Sequence, residues 1–441
     1  MNSRERIIAA IEHREPDRVP VDLGSTPSSG ISAIAYGNLK RHLGMNHGHT
    51  RVYDVAQQVA QPEDFILDRF GVDVMDIGRA FNTADSCWYD VALADGQRAQ
   101  YPSWFHPEQQ ADGSFIIRMK DGLDIAHMPA GGTFFDQSYF PYLDGYPSDY
   151  RNLARDLGKV MWAAVAHSPW DHAGEPDFWA QMRQKALELR RTSDRALMVV
   201  IGCNLFEWGT FLRRLDNFLM DLLTDPAGVE GFLDALMELH MAGLAKACEA
   251  LGDIADVMRF GDDLGTSTAP FMSLGTYRRY FKSREAQLCA YVHKHTPMKT
   301  FLHSCGSIHA LMPDLIEAGF DVINPVQTNC RNMEPERLKK DFGKDICFWG
   351  GGCDPKAVLN KGTPAEVKED VKRRLDIFMP GGGYVFNTVH NILPEVPPQN
   401  IVAMYEAVRE FDQWLGPWET SKVSHLDSAD LISRLSPPPY G

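Results

Sequence analysis

From residue 175 onward the chain alternates short apolar runs with longer amphipathic ones. "PDFWAQMRQKALELRRTS" carries apolar positions at helical spacing, and the unbroken apolar run "ALMVVIG" follows it. A helical block over 208–250 precedes "DVMRFGDDLG", and a helix over 275–295 precedes "MKTFLHSCG". Then come helix 307–318, strand "DVINPVQ", helix 334–342, strand "DICFWGGG", helix 364–378, strand "GYVFNTVHNI" and helix 399–413. Short apolar runs between amphipathic helices predict parallel strands with helices outside. Roughly seven or eight such units predict an eight-stranded α/β barrel, a (β/α)8 TIM-type fold. A doubly wound sheet is the alternative. Its usual mark, a G-x-G-x-x-G or G-x-x-x-x-G-K-[ST] loop, does not occur.

The earlier residues are less regular. "SRERIIAAIEH" reads as a helix with Ser3 as N-cap, and "DRVPVDLGS" as a short strand. Residues 51–80 read as a helix followed by the strand "DVMDIG". Residues 81–145 are rich in aromatics, Gly and Asp, and the alternation in "GSFIIRMKDG" predicts a β-hairpin. This block is expected to be a β-rich meander inserted in one barrel domain spanning 1–415. Its aromatics (Trp88, Trp104, Phe105, Phe134, Phe135, Phe140) either cover the barrel mouth or pack as ordinary core. Residues 416–441, ending "SPPPYG", are expected to form a C-terminal extension.

Charge and composition narrow the function. A net charge of −15 gives no electrostatic reason to bind nucleic acid or an anionic membrane. No apolar run approaches the roughly 20 residues that span a bilayer. The N-terminus is charged and amphipathic, unlike a signal peptide, so a cytoplasmic protein is expected. The eight cysteines are scattered, which argues against a disulfide framework.

Barrel enzymes carry their reactive groups at the C-terminal ends of the strands. Those ends hold Asp22, Asp76, Asn204, Glu207, Asp262, Asp263, His303, Cys305, Asn324, Gln327, Cys353, Asp354, Asn387, His390 and Asn391. In an extended segment i and i+2 share a face, so His303 and Cys305 in "HSCG" point the same way. They are either two metal ligands or two small core residues. With other Cys and His at neighbouring strand ends, they fit a zinc site of three protein ligands and one open position. His390 and Cys353 are both candidates for the third ligand, and Glu207 could complete the shell. Cys203 and Cys347 read as small buried hydrophobes, and Cys330 lies too far past its strand. "GDDLG" offers either a carboxylate pair for acid–base work or a loop in which Asp262 or Asp263 binds backbone. "PGGGYVF" reads as a tight turn, and "EVPPQN" as a rigid entry to the last helix.

Taken together, "FGDDLGT", "FLHSCGSI", "LIEAGFDVINPVQ", "LKKDFGKDICFWGGGCDP" and "PGGGYVFNTVHNILPEVPPQNI" resemble the uroporphyrinogen decarboxylase superfamily, including its corrinoid-linked methyltransferase branch. The resemblance implies an α/β barrel. Decarboxylases of the family carry an arginine-rich "RQAGRY"-type motif for substrate carboxylates. Here "VDLGSTPSSGISAIAY" has no arginine, which disfavours porphyrinogen decarboxylation, although Asp76 sits near the decarboxylases' key aspartate. The methyltransferase branch binds zinc through His-x-Cys and a later Cys. His303 and Cys305 match the first two, and His390 of "VHNILP" stands where the later Cys would be. A His-Cys-His site, a site of different charge and no metal all stay open.

The resemblance implies methyl transfer between a small methylated substrate and cobalamin. No D-x-H-x-x-G signature is present, and "WDHAGE" has the wrong spacing, so the corrinoid is expected on a separate partner protein. The expected roles follow. Glu207, Asp262, Asp263 and Asn204 are catalytic; Asp22, Asp76, Asn324, Gln327 and Asn391 bind substrate; His303, Cys305 and His390 hold zinc, with Cys353 as the alternative. A carboxy-lyase without metal and a non-catalytic corrinoid- or tetrapyrrole-binding protein are the other readings. A homodimer stays open.

Overall fold

The structure, a computed structural model, describes residues 1–415. The expected extension over 416–441 lies outside the described residues. Seven parallel strands form one sheet: β1 (Val74–Asp76), β2 (Ala196–Gly202), β3 (Val257–Gly261), β4 (Lys299–His303), β5 (Val322–Asn324), β6 (Cys347–Trp349) and β7 (Tyr384–Val385). Each pairs with its neighbours in chain order, with helices in the crossovers. The segment around Val21 closes the gap between β7 and β1. Val21 bridges Phe386 in parallel, and Asp22 N–H donates to the Phe386 carbonyl at 2.9 Å. On the other side Asp73 N–H donates to the Val21 carbonyl at 2.8 Å. The fold is a TIM-type barrel, as the alternation of elements predicts.

Alternate strand residues face inward. Val74, Ala196, Met198, Val257, Phe301, Val322, Cys347, Trp349 and Val385 form one buried cluster with Ile7, Ala10 and Ile11. Those last three belong to the helix Ser3–Ile11, which plugs the N-terminal end of the barrel. A buried ion network fixes the plug. Asp73 accepts from Arg6 at 2.6 Å, from Arg18 at 2.7 Å and from Val21 N–H at 3.0 Å. The plug helix is capped by Asn2, not Ser3: Asn2 accepts from Glu5 N–H, and the Glu5 carboxylate accepts from Asn2 N–H. That reciprocal pair satisfies two donors, which Ser3 as cap could not have done with Glu5 at N2.

Other departures from expectation are local. Residues 51–62 hold two short antiparallel strands, Val52–Asp54 and Val59–Ala60, which pair with each other, and Val59–Ala60 pairs in addition with Ile31–Ser32. The helix there is only Asp64–Phe70. The block over 208–250 is three helices: Phe206–Arg213, Leu215–Thr224 and Pro226–Leu251. The chain breaks at Arg214, where φ is +67°, and at Asp225, whose carboxylate accepts from Gly228 N–H. The insertion contains the hairpin Trp88–Ala92 with Arg98–Pro102, and a four-stranded antiparallel meander. Its strands Phe115–Arg118 and Asp124–Met128 are the hairpin that the alternation predicts. Trp88, Phe105 and Phe135 are buried core, whereas Trp104 and Phe134 are exposed. All eight cysteines are free. Among the described residues no helix is long and apolar enough to cross a membrane.

Candidate metal centre

β4 ends at His303, and Cys305 follows two residues on. The imidazole and the thiol face the same way, with Nε2 and Sγ 3.5 Å apart. His390, beyond β7, joins them. One ligand atom from each of the three lies within 4.8 Å of the others, and the two imidazole centroids are 5.5 Å apart. The local chain path explains this convergence. Gly306 takes φ +95°, a left-handed conformation that turns the chain back immediately after Cys305. A Cβ at Gly306 would overlap the carbonyl of Gly265. The "HSCG" and "GDDLG" loops therefore meet backbone to backbone.

Both histidines are oriented by amides. Asn324 Nδ2 donates to the Trp349 carbonyl at 2.8 Å, which leaves its Oδ1 to accept from His303 Nδ1 at 2.6 Å. His303 therefore presents Nε2 as a lone pair toward Cys305. Asn391 Oδ1 lies 2.8 Å from His390 Nδ1 and does the same for that ring. The loop around Cys305 is pinned as well: Cys305 N–H donates to Asp263 Oδ1 at 2.9 Å and Gly306 N–H to Gln327 Oε1 at 2.7 Å. Burial, helped by Arg259, pushes His303 down to about 3, so the ring is neutral. Burial, with Asp263 and Glu207 nearby, pushes the Cys305 thiol well up. A cation at this point reverses that, because a coordinating thiol gives up its proton. Two imidazole nitrogens, one sulfur and an open fourth position are a donor set that fits zinc. Asn324→Ala should weaken zinc binding by about 10–100-fold, because it frees the His303 ring. Competition against a chromophoric chelator measures this.

The structure sorts the remaining candidates. Asn324, Gln327 and Asn391, expected on substrate, hold the ligands or their loop. Asp262 accepts from the N–H groups of Leu205, Phe206 and Glu207 at 3.0, 2.8 and 2.7 Å. It thus caps the helix Phe206–Arg213 with both oxygens and is not half of an acid–base pair with Asp263. Asp263 is half-exposed and sits 3.7 Å from His303 Nε2. Glu207 accepts from Asn204 Nδ2, and burial beside Asp263 and Asp262 pushes its carboxyl well above the usual range. Asp22 is fully buried inside the barrel; Ser25 and Trp349 Nε1 occupy its oxygens, so no substrate reaches it. Cys353 is buried beside Asp370 and Arg374, outside the ligand cluster, which leaves His390 as the third ligand position. Arg259, in "VMRFG", is a site residue that the strand-end reading passes over. Its signal is a charge inside an apolar strand, in step with Gly261 and Asp263.

Asp76 is 4% exposed and accepts from Gly78 N–H at 3.0 Å. Burial raises its carboxyl to about 6. The folded state thus holds this proton more tightly than the unfolded chain, where the group titrates near about 3.9. Its stabilising contribution is complete below that value and is lost as pH rises through about 6. Asp76→Asn keeps the acceptor and removes the titration. The variant should gain on the order of 2 kcal/mol over wild type at pH 7.5, and the gain should vanish near pH 4. Urea midpoints at the two pH values measure it.

Residues 206–411 match the family model for uroporphyrinogen decarboxylase (URO-D). The chain is 24% identical over 189 residues to the uroporphyrinogen decarboxylase of Chlorobaculum tepidum, covering 42% of this chain and 50% of that protein. It is 26% identical over 173 residues to the methylcobamide:CoM methyltransferase MtaA of Methanosarcina barkeri, covering 38% and 46%. The chain spans about half or less of the length of the curated relatives it first matches. Among solved structures, a methyltransferase from Methanosarcina mazei superposes with a TM-score of 0.55 at 17% identity, over 93% of this chain and 99% of that one. That likeness shows the shared barrel. On the sequence matches, residues 206–411 are similar to the uroporphyrinogen decarboxylase family, and both decarboxylases and a methyltransferase stand among the chain's relatives.

Proposed function

We propose that the chain is a zinc-assisted methyltransferase. It takes a methyl group from a small methylated compound and passes it to a corrinoid carried by a separate protein. The observation that carries this reading is the convergence of His303, Cys305 and His390, with each imidazole held by an amide. A relative named as a methylcobamide methyltransferase supports it. The loop after Val21 speaks against a porphyrinogen substrate. It holds Thr26, Ser28 and Ser29, which are buried and bonded to one another, where a substrate with eight carboxylates needs cations.

Zinc held by the three ligands would supply a Lewis acid for the heteroatom that loses its methyl group. The chain's own groups do the rest. Asn324 and Asn391 keep both rings aimed at one point. Glu207, fixed by Asn204, has its carboxyl pushed well above the usual carboxylate range by burial, and it interacts electrostatically with the Cys305 thiol. Glu207 would be the group placed to give a proton to the heteroatom as its bond to the methyl group breaks. Trp208 meets Phe211 edge-on, Phe211 stacks on Trp162, and Trp162 meets the exposed Phe134 edge-on, an apolar rim for a partner protein. Anaerobic assay with free cob(I)alamin and a panel of methylated ethers and amines tests the proposal. Consumption of cob(I)alamin that depends on zinc supports it, and Glu207→Gln should slow the reaction by about 100-fold. Release of CO2 without metal would instead favour a carboxy-lyase. Tight tetrapyrrole binding without turnover would favour a binding protein.

A further inference from the structure

Arg259 lies on β3 between Val257 and Gly261, the inward-facing positions of that strand. Its side chain runs along the strand toward the barrel mouth. A Cβ placed on Gly261 would stand 3.0 Å from Arg259 Nη1 and 3.4 Å from Cζ. Gly261 is in register with His303 on β4. The guanidinium therefore stands level with the metal ligands, one strand over, about 4.8 Å across the sheet.

This guanidinium is under-used. Its one bond is a long contact, Nη2 to Ser28 Oγ at 3.5 Å. Arg259 Nε is buried without a partner, and among the described residues the side chain makes no ion pair. Glu207 and Asp263 act on it electrostatically but make no ion pair with it; one oxygen of Asp263 accepts from Cys305 N–H and one of Glu207 from Asn204. Across from it, Tyr53 is 6% exposed, and its hydroxyl is also buried without a partner. Arg259 and Tyr53 are close enough to interact electrostatically. Buried polar groups left unbonded are costly, and these two are neighbours. The guanidinium can only donate and the Tyr53 hydroxyl is able to donate, so one acceptor reaching both would satisfy them. The planar fork of arginine fits a carboxylate in two-point contact.

We propose that Arg259, with Tyr53 and Ser28, forms a carboxylate subsite beside the metal ligands, so that the substrate is a small methylated carboxylic acid. The carboxylate rests on Arg259, and a short spacer brings the methyl-bearing heteroatom to His303, Cys305 and His390. The methyl group rests on the function proposed above; the carboxylate does not. A single guanidinium also fits one carboxylate and not the many of a porphyrinogen.

Calorimetric titration of the zinc-loaded chain tests this with two matched pairs: methoxyacetate against methoxyacetamide, and 3-methoxybenzoate against 3-methoxybenzamide. At least one acid should bind about 10-fold or more tighter than its neutral amide. Arg259→Met should erase that preference at unchanged zinc content, and Arg259→Lys should keep part of it. Tyr53→Phe removes only the unbonded hydroxyl. It should weaken the acid by about 3–10-fold without lowering the melting temperature, and it tests the subsite even if Arg259→Met fails to fold. No preference for either acid would overturn the proposal, as would a preference that survives Arg259→Met. An acid preference in a protein that transfers no methyl group would leave the subsite standing and sink the methyltransferase reading alone.

Discussion

Alanine at Cys305 or His303 should remove the zinc and, with it, methyl transfer, while the barrel stays folded. Cys305 sits past the end of β4 and is partly exposed, so its side chain carries little of the core. His303 is buried, but its bonds are to Asn324 and to the mouth, not to the apolar interior. Losing one of three protein ligands leaves two, too few for a tight zinc site. Activity should fall by at least about 100-fold in either variant, with the far-ultraviolet circular dichroism unchanged. His390→Cys is the informative contrast. It exchanges a neutral ligand for a thiolate, so zinc should remain while the site becomes a weaker Lewis acid. A Cys305→Ala protein that keeps both zinc and activity would remove the basis of the site.

Asp73→Ala should destabilise the chain by about 3–5 kcal/mol, the range for leaving a buried charge without its partner. Asp73 is fully buried where the barrel closes, and it receives Arg6, Arg18 and the Val21 amide. The Arg6 side chain is 7% exposed and cannot turn to water without dislodging the plug helix. Only one of its other partners, Asp17, is charged. The loss therefore strikes the closing segment, the plug and β1 together. Urea unfolding should show a lower midpoint, with earlier amide exchange at Val21 and Ile7. A midpoint within about 0.5 kcal/mol of wild type would mean that the network contributes little.

Particular residues explain how far the sequence could be read. The run "ALMVVIG" gave its strand limits because an unbroken apolar run between helices has one use in this fold. Helix Pro364–Phe378 has the expected limits, and a capping box of Thr363 and Glu366 fixes its start. That His303 and Cys305 share a face was legible from the two-residue period, but the period left metal ligands and core residues equally open. The third ligand was not legible, because His390 and Cys353 both follow strand ends. Only the paths of the two loops turn one toward β4 and sink the other beside Asp370. Asp262 was open for a similar reason: the amides it caps lie 55 to 57 residues away along the chain. Residues 51–62 misled because "VYDVAQQVA" supports both periods, and pairing with Ile31–Ser32 decides between them. Arg259 broke a local rule inside a strand, and such breaks concentrate where a fold serves function.

Whether His303, Cys305 and His390 hold one zinc ion is decided by zinc-edge X-ray absorption of the reconstituted chain. One equivalent of zinc is expected, bound by one sulfur at about 2.3 Å and two imidazole nitrogens at about 2.0–2.1 Å, with a lighter fourth ligand. The sulfur shell should vanish in Cys305→Ala. Zinc with no sulfur ligand, or a chain that takes up no zinc, would contradict that ligand set and return "HSCG" to packing.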